Sequence, residues 1–292
     1  MKIWDRLFER TTPRFGQLTT WLLCGLAVTL ALLPFEYQSG DRQSTGTVLS
    51  WLPSAVLESA TVMLIARAAL LVSAIAWMFR QALPWSAWGT ACFFTVVWAL
   101  RMENTSHAAH IFNATNMLLY VHAMWFHFER HAIAGSIREG TFWQSRLYPN
   151  WVFGLSVFYL CWFHTWAGAT KIMESGFDWG NGLSLQLWVY LWGWPASPTT
   201  QLLLSSRTLT RVLQTGALIF ETSSILGIFS KWLRWIVGFN LLGFYCGVLT
   251  TFVDYGFHAN ALLVAMFLLP TRQWIERVPR ATPVAKERRM AA

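Results

Sequence analysis

The residue best suited to acid–base chemistry is a lysine within an apolar stretch of the chain. Lys171 lies in the phrase FHTWAGATKIMESGFDWGNG, where Ala167, Gly168 and Ala169 would let a neighbouring backbone approach closely. A lysine beside apolar walls loses hydration, which disfavours the ammonium form and makes the neutral amine available as a base. The alternative is an interfacial lysine that extends its ammonium group to the outer headgroups of a membrane.

Other polar residues concentrate in three places, although an ionisable side chain in an apolar segment is costly unless it has a partner or a cavity. They are Glu103, Asn104, His107, His110, Asn113 and Asn116; then His164, Lys171 and Asp178; then Asp254 and His258. In the first cluster histidines and asparagines recur every three residues, which on a helix predicts a polar stripe facing a cavity or another helix. No carboxylate–histidine signature accompanies them, so no metal site is predicted.

Two further groups of polar residues have a structural interpretation. Glu221 falls within an apolar stretch, and Arg67 and Arg211 are candidate partners in an ion pair that would hold helices together. Three histidines lie near one end of a single apolar stretch, beside charged residues, and are expected at the membrane interface: His122, His127 and His131.

The composition excludes a soluble protein. The 292 residues are 55% hydrophobic and 12% charged, whereas soluble domains carry about 25% Asp, Glu, Lys and Arg. The nineteen Trp and seven Tyr are typical of the aromatic belts at membrane interfaces. The net charge of +8 does not indicate a nucleic-acid partner, because the basic residues lie in short loops and at the termini, where they contact anionic lipid and set the topology.

Eight apolar stretches have about the length that a helix needs to cross the bilayer, the last of them being short. They cover residues 18–35, 59–79, 83–100, 108–128, 150–170, 209–229, 232–253 and 257–270. Residues 182–206 are also apolar, but Gly193, Pro195 and Pro198 interrupt them, which predicts one or two helices in the outer interface. The expected fold is all-α: a polytopic membrane helix bundle of about eight transmembrane helices plus an interfacial helical segment.

The basic residues predict a topology and divide the chain into three regions. With the N-terminus in the cytoplasm, sixteen Lys and Arg fall on the inner side and four on the outer side, as the positive-inside rule requires. We expect a multi-pass protein of the plasma (inner) membrane, with both termini cytoplasmic and the three polar clusters at the outer face. Residues 1–17 are a basic N-terminus, 18–270 the transmembrane domain and 271–292 a basic tail expected to be disordered.

Around the lysine phrase the sequence resembles the HTTM family, whose membrane domain is related to vitamin K-dependent gamma-carboxylase. The phrase AGATKI (167–172), followed by DWGNGLSL (178–185), looks like the family's Ala-Gly-x-x-Lys and the Trp and Gly after it. Glu221 at a polar break in a later stretch, the basic KWLR turn after it and the His and Asn residues of the fourth stretch fit as well. The resemblance covers about residues 15–270.

The resemblance implies a quinol-dependent membrane enzyme, either a carboxylase-like lyase or a quinol-oxidising oxidoreductase. In the carboxylase a lysine removes a proton from reduced vitamin K, oxygen adds, and the strong base so formed takes a proton from a glutamate, which then captures carbon dioxide. On this resemblance Lys171 would be the base, with His107 or His110 assisting, and a reduced quinone of vitamin K or menaquinol type would be the cofactor. The residues implied to bind the substrate are Asn104, Asn113, Trp179, Glu221 and His258.

A second hypothesis is non-enzymatic. The chain ends soon after its last apolar stretch, so we do not expect the large lumenal domain with which the carboxylase grips its protein substrate. Short stand-alone members of the family include proteins that resemble factors needed to mature secreted peptide toxins, and a shared fold does not carry a shared chemistry. The alternative is therefore a membrane factor for the maturation, export or immunity of a secreted peptide or protein. A transporter is disfavoured, because no broken segment in the first half matches residues 182–206.

Overall fold

Helices make up almost all of the fold. The structure, a computed structural model, describes residues 10–11, 13–34, 47–104, 112–138, 148–252 and 255–277. Within them the α-helices are α1 (Pro13–Leu32), α2 (Ser54–Leu57), α3 (Ala60–Met78), α4 (Trp85–Glu103), α5 (Asn113–Phe128), α6 (Arg130–Arg138), α7 (Asn150–Ser175), α8 (Leu183–Trp192), α9 (Pro198–Ser205), α10 (Arg207–Ser223), α11 (Lys231–Thr251), α12 (Tyr255–Phe267) and α13 (Thr271–Arg277). Two 3₁₀ helices cover Gly176–Asn181 and Ser224–Ile228, and the two-residue strands β1 (Arg10–Thr11) and β2 (Tyr148–Pro149) pair antiparallel. The prediction of an all-α fold is confirmed.

Four of the described helices are long and apolar enough to cross a membrane. They are α1 from Arg14 onward, α3, α7 together with the 3₁₀ helix that follows it, and α11. The remaining predicted spans also form helices, namely α4, α5, α10 and α12. Because these four are shorter or less apolar, eight crossings of the membrane stay a prediction.

The chain leaves α7 through two glycines with positive φ. Gly176 follows the helix with φ +61°, and Gly182 follows the 3₁₀ helix with φ +87°, a region of backbone space that favours glycine. A Cβ at Gly182 would lie 2.7 Å from the backbone nitrogen of Arg211. The 3₁₀ helix between the two glycines is therefore held against the start of α10, and this contact positions Trp179.

The interrupted segment 182–206 contains two helices, α8 and α9, in agreement with the prediction of one or two. Its central turn packs on the end of α11, where the Trp194 backbone nitrogen donates to the Thr251 carbonyl oxygen at 2.8 Å. The Thr200 hydroxyl donates to the same carbonyl oxygen at 3.3 Å. These hydrogen bonds close α8 and α9 over one side of α11, and the location of this segment at the membrane interface stays a prediction.

The prediction of a disordered tail was wrong for residues 271–277, which form α13. The hydroxyl of Thr271 donates to the carbonyl oxygen of Ala265, which ties the start of α13 to the end of α12. Ile275 packs against the hydrophobic core, so this part of the tail has an apolar face to bury. Residues 278–292 lie outside the described residues.

A cluster of aromatic rings joins α1, α5, α7 and α12. The ring of Phe15 meets Tyr148, Phe153 and Phe267 edge-on, at centroid distances of 5.4, 5.6 and 6.1 Å. Trp125 meets Tyr148 edge-on at 5.1 Å. Edge-to-face contacts are among the preferred geometries of aromatic pairs, and these five residues, here called the aromatic core, anchor the first half of α7.

Candidate functional site

Lys171 on α7 and Glu221 on α10 form an ion pair between Lys171 Nζ and Glu221 Oε2. The Glu221 side chain is 6% exposed and the Lys171 side chain 26% exposed. The two helices approach closely at Gly168, where a Cβ would lie only 2.6 Å from the backbone nitrogen of Thr222. The prediction that a small residue before the lysine admits a neighbouring backbone is therefore confirmed for Gly168.

The ammonium group of Lys171 also lies over the ring of Trp179, with 4.6 Å between Nζ and the ring centroid. Trp179 is held there by the 3₁₀ helix, whose Gly180 carbonyl oxygen accepts a hydrogen bond from the Thr215 hydroxyl at 3.1 Å. The face of an indole ring and a carboxylate are both partners of a cation. Three of the predicted site residues thus meet at one place, where α7, α10 and the 3₁₀ helix converge.

The interpretation of Glu221 as the partner of an arginine was wrong. Arg67 donates from Nε to the carbonyl oxygen of Ala31 on α1, at 2.6 Å. The carboxylate of Glu221 is instead paired with Lys171, which comes from a different polar cluster of the sequence. Burial explains the pairing, since a carboxylate deprived of water needs a cation within contact distance.

An apolar cavity of about 480 Å³ lies beside Glu221 and Trp179, both of which line it. Its walls come from α8, α9, α10 and α11, and they include Phe220, Phe239, Phe244, Phe252, Gly216, Gly243 and Gly247. Lys171 does not line the cavity and is linked to it through its ion pair with Glu221. Binding sites for small molecules are typically apolar cavities of this size with a few convergent polar groups, and Glu221 is such a group here.

A second cavity, of about 620 Å³, lies on another face of α10. Its lining includes Asp178, Asn181, Arg211 and Thr215, but neither Lys171 nor Glu221. The face of α10 that carries the ion pair therefore belongs to the apolar cavity, and we take that cavity as the candidate site.

His164 lies on α7, two turns before Lys171, and takes part in a buried hydrogen-bond chain. Its Nδ1 is 2.7 Å from the carbonyl oxygen of Leu160, and its Nε2 is 2.7 Å from the hydroxyl of Tyr245 on α11. The carbonyl can only accept, so Nδ1 carries the proton, and Nε2 of the neutral ring accepts from the Tyr245 hydroxyl. The contact between His164 and Tyr245 therefore joins α7 to α11 behind the cavity wall.

The other predicted site residues are not brought to the cavity. The Asn104 amide is buried and donates to the carbonyl oxygens of Leu57 and Leu100, both at 2.7 Å, so it holds α4 to α2. Asn113 opens α5, and His258 has an exposed side chain near the start of α12. None of these three lines the apolar cavity.

The structure brings none of the remaining histidines that it describes to the cavity. His107 and His110, the predicted assistants of Lys171, lie outside the described residues. His122 lies within α5 and is fully buried next to the aromatic core, and its expected location at the membrane interface stays a prediction. Among the described residues no group of three or more His, Cys, Asp or Glu is arranged to hold a metal ion.

Sequence reasoning missed Gln214 and Tyr245. Gln214 lines the cavity, and Tyr245 follows the cavity-lining Phe244 and binds His164. The spacing of seven residues, almost two helical turns, places Gln214 on the same face of α10 as Glu221, but only the cavity shows that this face is part of a site. For Tyr245 no sequence signal existed, since only packing shows that it faces His164.

Comparison of the chain with protein families, with curated proteins and with solved structures finds no match. The features of this site that bear on function are therefore geometric: Lys171 pairs with the buried Glu221, and Glu221 lines an apolar cavity.

Proposed function

We propose that the protein is a multi-pass membrane enzyme that binds a reduced quinone, or a similar apolar molecule with a ring hydroxyl, and removes a proton from it. The single observation that carries this proposal is the Lys171–Glu221 ion pair beside the apolar cavity. An ionisable pair within an apolar bundle is costly to maintain, so it is by default a candidate for function. The proposal agrees with the resemblance to the HTTM family and to its carboxylase-related membrane domain.

The residues of the cavity fit a reduced quinone. Phenylalanine side chains form much of the wall, and glycines on α10 and α11 leave flat surfaces against which a ring can lie. Glu221 would accept from a ring hydroxyl, and Trp179 would pack against the ring. An apolar molecule dissolved in the bilayer can enter the cavity without passing through water, so its apolar surface stays away from water throughout.

The proton would be accepted by the pair rather than by one residue alone. Glu221 Oε1 accepts no hydrogen bond from the described residues, whereas Oε2 contacts Lys171. The carboxylate is thus placed to take the hydroxyl proton, and the ammonium group of Lys171 stabilises the resulting ring oxyanion in surroundings of low dielectric. When bound and deprotonated, a reduced quinone supplies electrons to molecular oxygen. Lys171 is therefore proposed to act together with Glu221: the carboxylate takes the proton, and the ammonium group supplies the positive charge that stabilises the oxyanion.

The membrane arrangement belongs to the same proposal. Eight crossings follow from the eight apolar stretches. The distribution of sixteen and four basic residues places both termini in the cytoplasm of the cell and the site at the outer face of the plasma (inner) membrane. Segment 182–206 would then lie in the outer interface, next to the lipid from which the substrate comes. Reporter fusions after residue 138 and within 176–182 test this arrangement, and active periplasmic reporters at both places would contradict it.

The experiment that tests the activity uses the purified protein in detergent. We would measure binding of a menaquinol or vitamin K hydroquinone analogue, and oxygen-dependent oxidation of it, for wild type and Lys171→Ala. Lys231→Ala is the matched control, because Lys231 also lies over a tryptophan ring, at 5.7 Å from Trp232, but does not pair with Glu221. We expect saturable binding and turnover in wild type and Lys231→Ala, and loss of turnover in Lys171→Ala with the fold retained.

Either of two results would refute the proposal. Wild-type protein that does not bind the analogue, or turnover that is the same in Lys171→Ala, would remove the quinol mechanism. The remaining account would be the non-enzymatic one, in which the protein serves the maturation, export or immunity of a secreted peptide.

A further inference from the structure

Gln214 offers a hydrogen-bond donor in the wall of the apolar cavity. The residue is 2% exposed and lines the cavity. Its Oε1 accepts from the backbone nitrogen of Leu185 at 3.3 Å, which identifies the oxygen of the amide. Its Nε2 is buried and has no hydrogen-bond partner among the residues that the structure describes. A buried amide donor without a partner is rare and calls for an explanation such as an absent ligand.

Two other polar side chains of the cavity already have partners in their own helix. The Thr251 hydroxyl donates to the Gly247 carbonyl oxygen at 2.8 Å, and the Asn240 amide donates to the Ile236 carbonyl oxygen at 2.7 Å. Gln214 differs from both, because its free donor is not used within α10. A ligand with a hydrogen-bond acceptor at this end of the cavity would satisfy the Gln214 donor.

Gln214 and Glu221 are seven residues apart on α10, and both line the cavity. Seven residues are almost two turns, so the two side chains share a face and their Cα atoms are about 10.5 Å apart along the axis. Both side chains have the same length, so their polar ends keep roughly that separation. A hydrogen bond of about 2.8 Å at each end leaves roughly 5 Å between the two polar atoms of a ligand. That distance suits a six-membered ring that carries two oxygens on carbons that are not adjacent.

We propose that Gln214 is a specificity-determining residue, whose Nε2 donates to the second oxygen of a ring that carries two oxygens on carbons that are not adjacent. Glu221 accepts from the hydroxyl at the other of these two positions. The inference rests on the proposed function and narrows it: rings with two such oxygens are favoured, and apolar molecules with a single hydroxyl are discriminated against. No proton is transferred at Gln214, which only donates a hydrogen bond.

The test compares ligands first in the wild-type protein. Three analogues with the same apolar tail are used: a 1,4-dihydroxy ring, its 1,2 isomer, and the ring with one hydroxyl. Leaving a buried donor unpaired weakens binding by about 5- to 100-fold. We therefore expect the 1,4 compound to bind about 5- to 100-fold more tightly than either of the other two.

The variant Gln214→Met then removes the donor at nearly constant volume. We expect the preference, which is the ratio of the dissociation constants of the other analogues to that of the 1,4 compound, to fall to about 1. This change should come mainly from weaker binding of the 1,4 compound. Gln201→Met is the control, because the Gln201 amide is exposed and donates to the Pro195 carbonyl oxygen at 3.4 Å outside the cavity lining; its preference should equal that of wild type. Gln214→Asn retains the amide but shortens the side chain, and it serves where Gln214→Met does not fold. Its preference is expected to lie between that of wild type and about 1.

The outcomes separate the two proposals. Wild-type protein that binds none of the analogues would refute the proposed function and this inference together. Binding that depends on Lys171 but does not distinguish the three analogues, or a preference that persists in Gln214→Met, would overturn only the role of Gln214.

Discussion

Two buried histidine–tyrosine pairs have the same local geometry in different parts of the molecule. In both His122 and His164, Nδ1 lies 2.7 Å from the carbonyl oxygen of the residue four positions earlier in the same helix. In both, Nε2 faces a tyrosine hydroxyl of another element, Tyr148 at 3.2 Å and Tyr245 at 2.7 Å. The two pairs are therefore equivalent as devices that join helices through a buried hydrogen bond.

Their surroundings differ. The ring of His122 is enclosed by the aromatic core, with Trp125 and Phe267 both 6.3 Å away between centroids. His164 instead shares α7 with Lys171, and Tyr245 adjoins the cavity wall. A buried histidine thus indicates packing by itself, and only a neighbouring cavity and charge make its region a candidate for chemistry.

The largest expected effect concerns Glu221, the buried acid beside the cavity. Glu221→Gln removes the proton acceptor of the cavity and leaves the Lys171 ammonium without a counter-charge. We expect oxidation of the quinol analogue to fall by about 10²- to 10⁴-fold, the usual contribution of a general base. Oxygen consumption by the purified protein at saturating analogue measures this loss.

The control for this comparison is Glu103→Gln. Glu103 is also buried, but its Oε1 accepts from the backbone nitrogen and hydroxyl of Thr47, at 3.0 and 2.6 Å, and it does not line the cavity. Turnover should be unchanged in folded Glu103→Gln protein. Equal losses of turnover in the two variants would show that the buried acids do not differ in function.

Helix α7 allows the comparison to be made along one element, since it runs from the aromatic core to Lys171. At Gly168 a Cβ would collide with the Thr222 backbone, whereas at Gly154 it would meet nothing within 4 Å. We expect Gly168→Ala to lower the free energy of unfolding by about 1–3 kcal/mol, the usual effect of overpacking, and to separate Lys171 from Glu221. Thermal unfolding in detergent, followed by turnover of the surviving protein, measures both effects.

The matched variant Gly154→Ala should raise the free energy of unfolding by roughly 0.5–1 kcal/mol, because alanine is the better helix former. Turnover should stay at the wild-type value. Loss of stability in Gly154→Ala as large as in Gly168→Ala would mean that close approach at Gly168 is not what holds α7 against α10.

Removal of each tyrosine hydroxyl tests the two pairs directly. Tyr148→Phe and Tyr245→Phe should each lower the free energy of unfolding by about 1 kcal/mol, because each takes a hydrogen bond from a buried histidine. Only Tyr245→Phe should also weaken binding of the quinol analogue, since Tyr245 holds α11 beside Phe244 in the cavity wall. Unfolding temperatures and dissociation constants, measured on the same samples, distinguish the effects. Weaker binding in Tyr148→Phe would end the distinction between the pairs.

The helices and part of the site could be predicted from the sequence for simple physical reasons. Long apolar runs have few alternatives to a helix in a bilayer, because each backbone amide needs a partner within its own segment. Lys171 and Glu221 stand out because charged residues are conspicuous in an apolar chain, whereas Trp179 was expected at the site only from the resemblance to the HTTM family. The structure brings these three together.

The remainder depends on contacts between residues that are distant in sequence. Lys171 and Glu221 are fifty residues apart, and their pairing follows from how α7 packs on α10, which spacing along the chain does not contain. Gln214 looked like an ordinary polar residue of an amphipathic helix until the cavity showed which face it occupies. The composition of the tail predicted disorder. The contact of Ile275 with the core is also a tertiary one, so it could not be predicted from the sequence.

The smallest expected effect concerns the two lysines that lie over tryptophan rings. Trp179→Leu removes the ring 4.6 Å from Lys171 but leaves the ion pair with Glu221. A cation–π contact contributes about 0.5–1 kcal/mol at a partly exposed site, so we expect the dissociation constant of the quinol analogue to rise by roughly 2- to 5-fold, with turnover largely retained. Trp232→Leu makes the same change beside Lys231, outside the cavity lining, and should leave binding unchanged. If both variants bind the analogue as wild type does, then Trp179 does not contact the ligand, and the pair of Lys171 and Glu221 alone distinguishes this end of α7 from the aromatic core.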